Sequence, residues 1–532
     1  MHESSIQSVQ IVFLLLLLFV AGFTALARKL QTPYPIVLVV AGLVLSLIPG
    51  IPRVALNPDV VFLVVLPPLL FSAAWLTSWR DFVYNLVSIS FLAFGLVGFT
   101  VLGVAGAAHY AFPGFDWRLG VVLGAVIATT DAIAATSIAK RIGLPQRVVD
   151  VLEGESLLND VTGLLALEFG LAIVVAGQTP TVTSGFLRLA YLTAAGVGVG
   201  LLIGAVVHWV EHQIDDAPIE ITISILVPYA AYLAAEFIHA SGILAVVACG
   251  LYLGRGSAHF FSAAVRIQAN AVWSVFTFIL NGFVFVLIGL QLPLVREGIK
   301  TYSSGSLLLY GGLFSVLVIV LRLLWVFPGT TLAYWIRRHF LHQKENRPPA
   351  RQVFVTGWTG MRGVIALAAA LSLPEALADG SPFPQRNLII FLTFSVILVT
   401  LVLQGLTLPA LIRALGLAGV TGPNCEETEA RRIMAEAALL ELEKAGKDVE
   451  ADSAALYEDL KEHYRRRLSS LPQDDGTQDG SYEKFVTVSL ELLRTERETA
   501  VKLRNSGRIS DEVLRQLLQE LDLSETRHRL PG

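Results

Sequence analysis

Cysteine is nearly missing from this chain of 532 residues: only Cys249 and Cys425 occur. One lies in an apolar run, the other in a polar one, and neither has a His or Cys neighbour at metal-ligand spacing, so neither a disulfide nor a zinc site is expected. Charge is scarce as well. Asp, Glu, Lys and Arg make up 15% of the residues, where a soluble domain of this size carries about a quarter. The 39 Lys and Arg nearly balance the 43 Asp and Glu, which leaves no basic footprint for nucleic acid. Two motifs are absent. Without GxxxxGK[ST] no ATP-driven mechanism is indicated, and without HExxH the usual zinc-peptidase reading falls away. The leading MHESSIQSVQ has no Lys or Arg, so the following run IVFLLLLLFVAGFTALARKL lacks the basic n-region of a signal peptide. Its basic pair, Arg28 and Lys29, comes after the run, which predicts a retained membrane helix with its N-terminus outside.

What remains is apolar. Hydrophobic residues make up 54% of the chain, and 41 of its 82 charges lie from Leu415 onward. Residues 1–414 therefore read as an all-α polytopic membrane domain and 415–532 as a polar, helical tail. Thirteen runs are long enough, or nearly so, to cross roughly 30 Å of hydrocarbon: 9–27, 35–49, 59–77, 86–108, 118–139, 151–176, 184–210, 219–238, 242–253, 268–293, 305–336, 353–373 and 387–414. With the N-terminus outside, the inner loops hold thirteen Lys and Arg against six outside (Arg53, Arg118, Arg188, Arg296, Lys300, Arg386), Lys344 being among the inner ones. That bias supports the orientation, and an odd number of spans puts the tail in the cytoplasm. In the tail, Ser510 is placed to cap DEVLRQLLQELDL after Gly507, which predicts a helical hairpin; LPQDDGTQDGS (471–481) reads as a linker. A regulatory or assembly role and plain solubilising mass both remain open for it.

The informative residues are the polar ones inside apolar runs. A charge near the bilayer centre costs about 2.5–3.5 kcal/mol on insertion scales, so such residues face a cavity or a partner. The fifth span, AVIATTDAIAATSIAK, carries Thr129, Thr130 and Asp131 in its middle; hydroxyls and freed carbonyls there are the hard oxygen ligands that alkali cations prefer. A structural aspartate that caps a broken helix is the plainer alternative for Asp131. The sixth span, LEGESLLNDVTGLLALEFG, carries Glu155 and Asn159 four apart, and Ser156 and Asp160 four apart, which puts a polar stripe on the helix. Glu153 reads as interfacial and Glu168 as a surface acid. Asp160 lies roughly 10 Å deeper than Glu153 at 1.5 Å per residue. Two mid-span arginines match these acids: Arg322 in the eleventh span, with Glu155 as its expected partner, and Arg362 in the twelfth, bracketed by Gly360 and Gly363. Glycines at such a place permit irregular backbone beside a cavity, so the twelfth span is expected to break opposite the fifth. Pairing with Arg322 would leave Asp160 as the titratable group. A carboxylate that takes either a proton or a cation at one site gives exchange directly.

The pieces LPPLLFSAAW (66–75), ATTDAIAA, EGESLLND, FVFVLIGLQ (283–291) and GMRG (360–363) stand in the order seen in cation:proton antiporter-1 proteins. The chain resembles that family, which includes the sodium/proton exchangers, over about 9–414, and the tail is more loosely similar to those of bacterial members. The resemblance implies an antiporter, not an enzyme. It implies a homodimer of thirteen-helix protomers in the cell inner membrane, with inverted repeats and crossing, unwound fifth and twelfth helices. It implies a moving core (86–176 and 305–414), dimerisation helices (9–77 and 219–293) and a linker helix (184–210). By motif position Asp160 looks like the cation/proton carboxylate, Asn159 its neighbour in the Asn-Asp pair of electroneutral members, and Glu155–Arg322 the stabilising ion pair. Thr130, Asp131 and Ser156 look like further ligand or support positions, and Arg362 matches the twelfth-helix arginine. Where many members have Asp-Pro in the fifth helix, this chain has Asp131–Ala132. No resident cofactor is expected: Na⁺ or Li⁺, with K⁺ as the runner-up, and H⁺ are cargo. An intramembrane aspartyl protease using Asp131 and Asp160, and a channel or sensor that has lost transport, are the competing classes.

Overall fold

Inside a bilayer no water satisfies a backbone amide, so apolar runs close their hydrogen bonds within helices. The computed structural model describes residues 2–49, 56–112, 115–176, 182–214, 216–260, 262–299, 302–343, 347–377, 380–419, 425–445, 454–469 and 481–529. Arg53, Lys300, Lys344, most of the expected linker (471–480) and the Cys425 side chain lie outside them. Among the described residues every regular element is helical; the only β pairing is a single bridge between Ala376 and Pro382.

The chain runs through α1 (His2–Lys29), α2 (Tyr34–Ser46), α3 (Pro58–Leu76) and α4 (Trp79–Ala111). It continues through α5 (Trp117–Ala128), α6 (Ala132–Ile142), α7 (Gln146–Ala176), α8 (Val182–Glu211), α9 (Ala217–Phe237) and α10 (Gly242–Phe260). Then come α11 (Ala263–Leu290), the short α12 (Leu292–Glu297), α13 (Ser304–His339), α14 (Ala350–Trp358), α15 (Val364–Leu371) and α16 (Arg386–Ala414). Nine helical stretches among the described residues are long and apolar enough to cross a membrane, counting α5 and α6 as one; α2 and the start of α10 are shorter apolar helices.

Contacts separate the chain into two units, Met1–Val420 and Thr421–Gly532. In the first, α5 packs on α4 and α7, and α13 on α14 and α16, while α6 touches α7 and α16. A second group forms where α10 packs on α3, α8 and α9, and α2 packs on α11. Three helices carry a π turn, at Val61–Val65, Phe91–Leu96 and Thr400–Gln404. Such turns free carbonyls from the helix ladder, and in two of the three turns side chains collect them. Trp325 Nε1 and Thr162 Oγ1 donate to the carbonyls of Phe91 and Ala93, and Tyr229 donates to Val64. In the second unit α17 (Cys425–Ala445) packs on α18 (Ala454–Ser469), and α19 (Ser481–Asn505) forms a hairpin with α20 (Asp511–Arg529). Gly507 makes its turn at φ 72°, Ser510 Oγ accepts from the Val513 amide, and Arg497 bridges Asp522 and Glu525. The two acceptors raise the Arg497 pKa.

Candidate functional site

Two interruptions face each other in the first unit. Helix α5 stops at Ala128; Thr129 and Asp131 take extended backbone, and α6 restarts at Ala132 with Asp131 as its N-cap, Oδ1 accepting from the Ile133 amide at 2.8 Å. Helix α14 stops at Trp358, and α15 restarts at Val364. The breaks touch directly, since the Asp131 amide donates to the Met361 carbonyl at 2.8 Å. Gly363 makes that approach possible: a Cβ there would stand 2.6 Å from the Asp131 Cβ. No proline breaks α5. The extended Thr129–Asp131 segment is held by its partners across the gap instead.

A broken helix exposes carbonyls that carry the negative end of its dipole. A buried arginine meets each set. Arg362, 1% exposed, donates through Nη1 to the carbonyls of Ala128 (2.6 Å) and Thr129 (2.9 Å) at the end of α5. Its own amide donates to Thr400 Oγ1, beside the π turn of α16. Arg322, also 1% exposed, donates through Nε to the Gly357 carbonyl and through Nη2 to that of Thr356, at the end of α14. The same guanidinium forks onto Glu155, at 2.5 Å and 2.9 Å. Gly360 lies against this arginine, where any Cβ would strike its Cδ and Nε.

Helix α7 lays its polar stripe beside the first break. Ser156 donates to the Thr130 carbonyl at 2.9 Å, and Asn159 Nδ2 to Thr130 Oγ1 at 3.0 Å. Asp160 is 3% exposed, and Asp131 and Arg362 are the charged groups that act on it. Its Oδ1, the Asn159 Oδ1 and the Arg362 Nε and Nη2 are buried with no hydrogen-bond partner among the described residues. A cavity of about 370 Å³ reaches this cluster, lined by Thr129, Thr130, Asp131, Ser156, Asp160 and Gly363 and walled on its far side by α3 and α11. Glu153 and Lys140 line it too and pair at 2.7 Å. Glu168 pairs with Arg188 on the surface. Every expected site residue thus falls at the crossing or in its support, with Asp131 acting as a helix cap and Arg362 bonded to carbonyls. A catalytic dyad needs two facing acids with a shared proton; Asp131 Oδ1 is already committed to its cap. Among the described residues no three His, Cys, Asp or Glu side chains group as a metal site. The oxygens near a cation at this cavity are the Asp160 carboxylate, the second oxygen of Asp131, the Asn159 amide oxygen and the neighbouring hydroxyls and carbonyls.

Known proteins are similar to this chain to different extents. An uncharacterised Na⁺/H⁺ exchanger of Mycobacterium tuberculosis is 34% identical over 516 residues, 94% of this chain and 93% of that one. A sodium, potassium, lithium and rubidium/H⁺ antiporter of Bacillus pumilus is 33% identical over 412 residues, 75% of this chain and 60% of its own. The solved structure of a sodium proton antiporter from Methanocaldococcus jannaschii has the same fold, with a TM-score of 0.57 at 19% identity, covering 77% of this chain and 99% of that one. Residues 14–414, which contain both breaks, both buried arginines and the α7 stripe, match the model described as "Sodium/hydrogen exchanger, transmembrane", and the chain belongs to that family of membrane transporters.

Proposed function

We propose that this chain is a secondary antiporter that exchanges protons for Na⁺ or Li⁺, with Asp160 as the carboxylate both ions use. One observation carries the reading: a buried Asp160 whose Oδ1 has no hydrogen-bond partner among the described residues lines a cavity where two broken helices cross. A buried carboxylate is held neutral by a proton or balanced by a cation, and it cannot take both at once. Asn159 Oδ1 and the Thr130 backbone lie beside it as neutral oxygen ligands, while Glu155 is held by Arg322. Asn159 in place of a second acid suits one-for-one, electroneutral exchange. Thirteen membrane helices with inverted repeats are the finer form of this architecture. It would have a core of 86–176 and 305–414 moving against helices 9–77 and 219–293 by alternating access, with 184–210 linking them, in a homodimer of the inner membrane. The N-terminus is placed outside and the tail (415–532) in the cytoplasm, on the bias of basic residues. K⁺ is the second cation to test, because the Bacillus relative is named for potassium as well as sodium.

The experiment is proton flux in proteoliposomes driven by Na⁺, Li⁺ and K⁺ in turn, for the wild type and for Asp160→Asn. Sodium or lithium is expected to drive the larger flux, and lowering the pH should weaken apparent cation affinity, by about tenfold per unit once the proton outcompetes the cation. The variant should insert and show no flux. Undiminished flux in Asp160→Asn removes the assignment.

A further inference from the structure

A second cavity, of about 480 Å³, lies between the ends of α1, α6 and α16 and the start of α2. Each of those three helices finishes on a basic last turn: Arg28 in α1, Lys140 and Arg141 in α6, and Arg413 in α16. A cation at a helix C-terminus is ordinary, since it complements the dipole. Three arginines from three helices converging on one concavity is a different matter, because like charges repel as they gather. Arg28, Arg141 and Arg413 all line the cavity, no Asp or Glu lines it, and none of the three side chains has a hydrogen bond or ion pair among the described residues. Lys140, one residue before Arg141, shows the contrast: it turns to Glu153 and is paired. A further observation points to a ligand. Thr24 also lines the cavity, is 7% exposed, and keeps a hydroxyl with no hydrogen-bond partner among the described residues. Thr32, Tyr34 and Ser137 add three more hydroxyls to the wall.

We propose that this cavity binds a phosphate-bearing anion, held by the guanidinium groups of Arg28, Arg141 and Arg413. Planar arginine forks match phosphate oxygens two at a time, and basic pockets between membrane helices suit anionic headgroups. Three guanidinium forks suit the several oxygens of a phosphate better than the two of a single carboxylate. The same chemistry is offered by a phospholipid headgroup and by a free phosphate compound. Its place in the fold gives binding a consequence. A ligand bonded to Arg28 on one side and to Arg141 and Arg413 on the other ties α1 and α2 to α6 and α16. Helix α6 is only eleven residues long and carries Asp131 at its opposite end. The inference does not depend on which ions are exchanged.

The test is a binding titration by thermal melting of the full chain, delipidated in neutral detergent. The probes are short-chain phosphatidylglycerol, short-chain phosphatidylcholine as the neutral control, and inorganic pyrophosphate. Saturable stabilisation by phosphatidylglycerol, with none from phosphatidylcholine, is expected. Each of Arg28→Gln, Arg141→Gln and Arg413→Gln should weaken it roughly fivefold, from about 1 kcal/mol per basic residue, and Arg118→Gln, elsewhere on the chain, should leave it alone. Displacement of the lipid by pyrophosphate assigns the site to a soluble phosphate compound, and no displacement assigns it to a headgroup. Absence of saturable stabilisation by either anion, or an unchanged midpoint in the triple glutamine variant, overturns the proposal. If that triple variant does not purify, Arg413→Lys takes its place. Lysine keeps the charge but cannot fork, so binding should still weaken several-fold, and unchanged binding overturns the proposal equally.

Discussion

Glu155 and Arg322 hold each other in a place too dry for either alone, each side chain being 2% exposed. Two further bonds run from Arg322 to the carbonyls of Thr356 and Gly357, so each of its three side-chain nitrogens and both Glu155 oxygens have a partner. Removing the acid alone leaves an uncompensated buried guanidinium, which typically costs about 3–5 kcal/mol. Glu155→Gln should therefore lower the melting temperature in detergent far more than it shifts the preference between Na⁺ and Li⁺, and an unchanged melt would deny the pair its structural role. This pair was readable from the residues, because an arginine in LVIVLRLLWVF demands an anion and few are on offer. The partners of Arg362 were not. Its acceptors are the main-chain carbonyls of Ala128 and Thr129, and a carbonyl freed by a broken helix leaves no mark on its own side chain. The cavity beside Glu153 was not legible for a related reason: depth along one helix does not reveal which cavity a neighbouring helix opens beside it.

Each break is built from three devices: a cap at the restart or a glycine that permits it, an arginine on the exposed carbonyls, and a contact to the other break. Thr129, Thr130 and Asp131 signalled the first interruption in the sequence without a proline, and the glycines around Arg362 signalled the second. The π turns of α3, α4 and α16 gave no such signal, because a one-residue widening is set by neighbours such as Trp325 and Thr162 that collect the freed carbonyls. Asp131 carries two readings at this scale, cap and ligand, and one substitution separates them. Asparagine caps a helix about as well as aspartate does, so Asp131→Asn should keep the melting free energy within about 0.5 kcal/mol of wild type. If Asp131 also contributes charge to the ion site, exchange should fall while the melt holds. A large loss of stability would show that its carboxylate charge, and not its cap, supports the break.

For the whole molecule the question is what crosses the membrane and which part of the chain carries it. Moving one net charge against 100 mV changes the free energy by about 2.3 kcal/mol, so a carrier that trades unequal charge must respond to an imposed potential. On the proposed function, with Glu155 committed to Arg322 and Asp131 Oδ1 to its helix cap, Asp160 exchanges one cation for one proton. Flux in proteoliposomes should thus be indifferent to a potassium diffusion potential set with valinomycin, and a clear change in rate would require a second titrating group in the cycle. The tail poses the matching question. The composition shifts from apolar to charged at about Leu415, and contacts divide the chain at Val420, so 1–420 has its own apolar cores around both breaks while 421–532 is a charged helical unit with its own hairpin. The Asp160 cavity is lined by residues of the first unit. A chain ending at Val420 should therefore insert, melt cooperatively and catalyse cation-driven proton flux, with any change confined to its pH dependence. A truncated chain that inserts and melts like the parent yet moves no protons would make the tail part of the transport cycle, since neither the cavity nor the buried arginines would have been touched.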